Sequence, residues 1–95
     1  MRCFHVLIHG QFDVRVQLAP EVPARGFYTS RWVITGGRDE AVRKAFRSAK
    51  RELQQWSDIR DGLVSVTMET ETLEPAAFWR VFSRGNRGFA FYGEE

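Results

Sequence analysis

The sequence predicts an α+β fold. The expected form is a two-layer sandwich, a mostly antiparallel sheet of about five strands with one long and one short helix on one face, related to ferredoxin-like sandwiches. Three observations predict it. Apolar and polar residues alternate over 3–9 and again over 12–18, the period of a strand. Residues 38–56 switch to a helical period. Alternation then returns at 63–70 and again at 88–92.

Residues 3–9 open the first strand, with Phe4, Val6 and Ile8 on one face and Cys3, His5, Leu7 and His9 on the other. Gly10 interrupts, and Phe12, Val14, Val16 and Leu18 resume the even-numbered alternation. This predicts a hairpin with an odd loop at His9-Gly10-Gln11 and a second strand over 12–18, since opposed residues must share parity to share a face. Pro20 and Pro23 make 19–26 a loop. Phe27 to Thr35 reads as an interior strand, because Trp32-Val33-Ile34 is apolar on both faces.

Gly36-Gly37 ends that strand, and Asp39 and Glu40 suit the first turn of a helix running to Trp56. Val42, Phe46, Ala49, Leu53 and Trp56 form one apolar stripe, widened by Ala45. Arg43, Lys44, Arg47, Lys50 and Arg51 lie on the other face. A turn at 58–62 leads to a strand over 63–70 with Val64, Val66 and Met68 inward. Glu74-Pro75 opens a short helix, proline being suited to the first helical position, and Phe78, Val81 and Phe82 share its face. Gly85-Asn86 breaks it before a last strand, Gly88–Tyr92.

A chain of 95 residues with 43% apolar residues has room for one domain, 1–95, and one core. Its single cysteine rules out an internal disulfide, and the N-terminal run is too short and too polar for a signal peptide or membrane span. The expectation is a cytoplasmic protein with no membrane partner and no cofactor. Charge is segregated: residues 38–60 carry seven bases and four acids, 61–79 carry four acids and no base, and 80–92 carry three arginines. One acidic and one basic patch follow.

Chemistry-bearing sets are sparse. His5 and His9 share a strand face with Cys3, but lie ~13 Å apart on a straight strand, too far for one metal ion. Cys3 has only His5 close enough to activate it, and no nucleophile-elbow signature is present. Glu69 and Glu71 share a face at ~7 Å, the pattern of a solvated strand edge. No catalytic or metal residue is assigned. Gly36-Gly37-Arg38 joins a strand to a helix N-terminus, which makes Arg38 an anion-binding candidate, although Asp39 and Glu40 oppose it. Arg87-Gly88-Phe89-Ala90-Phe91 matches the opening of an RNA-recognition signature, in which two aromatics stack on bases. Its place at the end of the chain instead suits core packing of Phe89 and Phe91. The basic row Arg43, Lys44, Arg47, Lys50 and Arg51 can track phosphates, and is more often a solvated face.

Three stretches, His5-Val6-Leu7-Ile8-His9-Gly10, Gly26-Phe27-Tyr28-Thr29-Ser30-Arg31-Trp32-Val33 and Gly88-Phe89-Ala90-Phe91-Tyr92, resemble segments of a group of small bacterial proteins of unassigned function. The resemblance implies a full-length bacterial protein and transfers no functional residue. The expected function is a non-enzymatic interaction module whose partner the sequence does not name, with self-association as a homo-oligomer open to it, since Tyr28, Trp32 and Tyr92 sit on strands that leave a face or an edge to cover. Nucleic acid is the less favoured partner, bound through the basic helix face or the terminal aromatic strand. A small dimeric-barrel-like enzyme is the third reading. It needs a histidine inside an enclosed pocket, whereas His5 and His9 are expected to point away from the helices.

Overall fold

The computed structural model describes residues 2–19, 22–77 and 88–92, without the side chains of 14–19, 22–24 and 58. The elements run β1 (Arg2–Ala19), β2 (Val22–Thr35), α1 (Arg38–Leu53), α2 (Ser57–Arg60), β3 (Val66–Pro75) and β4 (Phe89–Tyr92). The strands form one antiparallel sheet in the order β3-β1-β2-β4, with α1 packed on it. The α+β class is as expected. The described sheet has four strands rather than about five, because the first two predicted strands are one.

Gly10 does not turn the chain. It stays in β1 opposite Phe27, and a Cβ there would overlap the Phe27 ring. The glycine is a slot for an aromatic on the neighbouring strand, so the predicted loop at 9–11 and the separate strand at 12–18 give way to a single 18-residue strand. β2 likewise begins at Val22, inside the predicted 19–26 loop. Pro23 sits there opposite Gln17, beside a register shift in the pairing with β1, where regular ladder bonding is already interrupted. Pro20 lies outside the described residues.

The helix is three residues shorter than predicted. It ends at Leu53, a turn follows, and Trp56 takes an extended conformation that opens the single turn α2, where the sequence suggested a plain turn. The residues of α1 that face the sheet are Ala41, Ala45, Ala49 and Leu53, spaced four apart and all buried. The three alanines bring the helix backbone close to Phe4, Val6 and Ile8, while Phe46 packs at the side of this cluster. Ala45, expected to widen the stripe, is thus in its centre, and Val42 and Phe46 are half-buried. A second cluster joins Phe12, Phe27, Leu53, Ile59 and Val64 to Trp56, Phe89 and Phe91.

β3 starts later and runs further than expected. Its pairing with β1 slips between Leu7↔Thr72 and Ile8↔Thr70, so Glu71 is an extra residue in a β-bulge. The bulge reverses parity: Met68, opposite Gly10, and Leu73, opposite Val6, both reach the helix side. Alternation in the sequence therefore fails at Glu71 although the strand continues. Glu74 and Pro75 end this strand instead of opening a helix, and residues 78–84 of the predicted short helix lie outside the described residues. Among the described residues, no helix is long and apolar enough to cross a membrane.

Candidate functional site

The sheet face opposite α1 gathers the polar and aromatic side chains. β1 contributes His5 and His9, which point away from the helix as the alternation requires, and their cross-strand partners on β2 are Trp32 and Tyr28. His5 stacks on Trp32 with ring centroids 4.5 Å apart, and His9 stacks on Tyr28 at 4.7 Å. The His5–Trp32 pair borders a cleft lined also by Glu74, Pro75, Ala76 and Ala77, which opens to solvent.

His9 is the centre of the larger constellation. Its Nε2 lies 2.6 Å from the Tyr92 hydroxyl, and its Nδ1 lies 3.0 Å from Glu69 Oε1 and 3.4 Å from Glu71 Oε1. The His9 side chain is only 11% exposed, while Glu69 and Glu71 stand at 67% and 41%. Each contact has a local cause. Glu69 is the cross-strand partner of His9 on β3, and the bulge swings Glu71 to the same nitrogen. Tyr92 sits opposite Gly26, and a Cβ on Gly26 would collide with the Tyr92 phenol. The missing side chain lets the tyrosine lie across β2 and reach His9. Two acids, an imidazole and two phenol rings from four strands thus meet at one point.

A second polar group lies on the helix side. Arg31 is fully buried on β2. It donates through Nε to Thr29 Oγ1 at 3.2 Å and through Nη1 to Ser48 Oγ at 3.0 Å, and pairs with Glu52 at 2.8 and 3.2 Å. The Phe89 ring closes over its guanidinium at 5.2 Å. This arrangement joins sheet to helix and leaves little of the cation for a ligand.

Against family models, curated proteins and solved structures, the chain gives no match.

The residues singled out from sequence fall in distinct places. Phe89 and Phe91 point to the helix side, edge-on to Phe27 at 5.0 and 6.1 Å and to Trp56 at 5.9 and 5.2 Å, within the second core cluster. Arg38 donates to the Leu73 carbonyl at 3.3 Å and lies over the Phe4 ring, tying the start of α1 to β3. Lys44 donates to the Ile34 carbonyl at 3.2 Å and pairs with Glu40. Arg43, Arg47, Lys50 and Arg51 remain exposed on the outer side of α1. Cys3 is buried, and desolvation pushes its thiol pKa above the ordinary value.

The sequence shows His9, Glu69 and Glu71 as separate features; their convergence with Tyr92 depends on pairing between strands distant in the chain. One signal was present. The apolar residues of β3 pass from even positions, Val66 and Met68, to the odd position Leu73, and only a bulge at the intervening acids keeps both on one face.

Proposed function

We propose that the chain is a non-enzymatic interaction module that self-associates, the acidic sheet face of one copy meeting the basic outer face of α1 on another. The observation that supports this is the placement of charge on opposite sides of the sandwich. Glu69, Glu71 and Glu74 are exposed on the side away from α1, with Tyr28 41% exposed among them. Arg43, Arg47, Lys50 and Arg51 are exposed on the far side of α1. Carboxylates beside a tyrosine ring suit arginine, which can pair with the acids and lie on the aromatic face. Such a contact is head-to-tail. The burial of Cys3 and its raised pKa weigh against thiolate chemistry.

Sedimentation velocity at low and high salt tests the proposal. At low salt the chain should sediment above its 11.0 kDa monomer mass. It should return to monomer near ~0.5 M salt, where exposed charges are screened. Arg43→Glu with Arg47→Glu should give a monomer at low salt as well. A strict monomer at high protein concentration and low salt overturns self-association. Salt-sensitive amide shifts along α1 on adding short RNA or DNA to that monomer would instead assign the basic row to phosphate.

A further inference from the structure

We propose that His9, Glu69 and Glu71 form a binding site for a first-row divalent metal ion of the zinc class, with His9 Nδ1 and one oxygen of each carboxylate as ligands and Tyr92 as the residue that orients the imidazole. All the ligands come from one chain, so the site does not require self-association; an ion bound to Glu69 and Glu71 would compete with their pairing to arginines of a second copy.

Distance carries the first part of the argument. The three donor atoms lie within 4.8 Å of one another, and Nδ1 is 3.0 and 3.4 Å from the two carboxylate oxygens. Ligands bonded at ~2.1 Å around one ion are separated by about 3.0 Å in octahedral and about 3.4 Å in tetrahedral geometry. The two separations from Nδ1 fall at such edge lengths, and the carboxylate oxygens lie within 4.8 Å of each other.

The second part is the direction of the imidazole. A ligating histidine presents one nitrogen to the ion and fixes the other with a hydrogen bond. Here Nε2 meets the Tyr92 hydroxyl at 2.6 Å, and the ring is held from one side by Tyr28. In the tautomer with Nε2–H donating to Tyr92, the Nδ1 lone pair faces both carboxylates, and a divalent ion serves all three atoms at once. An ordinary His–Glu pair needs only the cross-strand Glu69. The bulge adds the second carboxylate, and Gly26 clears the path for Tyr92.

Ligand chemistry sets the class of ion. One imidazole with two carboxylates suits zinc and its first-row neighbours, while magnesium and calcium prefer an all-oxygen shell. The exposed carboxylates leave the remaining positions to water.

Cobalt(II) titration followed by visible absorption, with zinc competition and calorimetry on the full chain, tests the site. One ion per chain is expected, displaced by zinc and not by a large excess of magnesium. His9→Ala should abolish binding. Glu71→Gln, at an exposed side chain, should leave the fold intact by circular dichroism and weaken binding at least tenfold. Tyr92→Phe should weaken it by about ten- to a hundredfold through loss of the orienting bond. His5→Ala should change nothing. Absence of stoichiometric binding, retention of full affinity in Glu71→Gln, or loss of binding in His5→Ala each overturns the site.

Discussion

Arg31 on β2 and Glu52 on α1 form a two-pronged ion pair, Nη1 to Oε1 at 2.8 Å and Nη2 to Oε2 at 3.2 Å, with the arginine side chain wholly buried and the glutamate 42% exposed. The asymmetry has consequences. Loss of Glu52 strands a cation that water cannot reach. Loss of Arg31 leaves a carboxylate that can turn to solvent. Glu52→Leu should therefore destabilise the fold by about 2–3 kcal/mol, below the ~3–5 kcal/mol of a fully buried pair because Glu52 is partly hydrated. Arg31→Met, which keeps most of the volume, should cost under about 1.5 kcal/mol. Urea denaturation of the two variants measures both, and the reverse order would refute the asymmetry.

Gly10 and Phe27 supply a second prediction. The Phe27 ring lies over Gly10 in the middle of the sheet, on the helix side. Gly10→Ala should destabilise by about 1–3 kcal/mol through overpacking, even though alanine is no worse than glycine in a strand. Gly36→Ala, where an added Cβ meets nothing within 4 Å, is the control and should fall within about 0.5 kcal/mol of the parent. Equal midpoints for the two variants in thermal unfolding would show that Phe27 moves aside freely.

Cys3 gives a third. Burial raises its pKa, so at a given pH less of it is thiolate than in an exposed cysteine. Because the thiolate is the reacting species, the folded chain at pH 8 should react with a disulfide reagent at least roughly tenfold more slowly than the urea-unfolded chain. The folded rate should still be climbing with pH where a free cysteine has levelled off. Equal rates in the two states would place the sulfur in water.

The legible parts of the fold were those that local periodicity encodes. The helical period announced α1, and Asp39, Glu40, Lys50 and Arg51 lie at the ends that its dipole favours. The alternation of Phe4, Val6 and Ile8 announced a strand with His5 and His9 on the face away from the helix. Punctuation is ambiguous where one residue type has two uses. A glycine between alternating segments marks a turn or a place where a ring from the next strand must fit, and only the strand lying beside it distinguishes the two. Gly10 and Gly26 both belong to the second kind.

The sequence by itself determined an α+β chain with one long amphipathic helix, the core face of its first strand and a separation of acid from base. Those properties depend on the periods 2 and 3.6 and on composition, which neighbouring residues carry. The tertiary structure decided that Ala41, Ala45 and Ala49 seat the helix, that Arg31 is buried against Glu52, and that His9, Glu69, Glu71 and Tyr92 meet. His9 and Tyr92 are 83 positions apart in the chain. Strand order, the bulge at Glu71 and the gap at Gly26 bring them together, and pairing across such separations is set by how the whole sheet packs under α1, which no local pattern specifies.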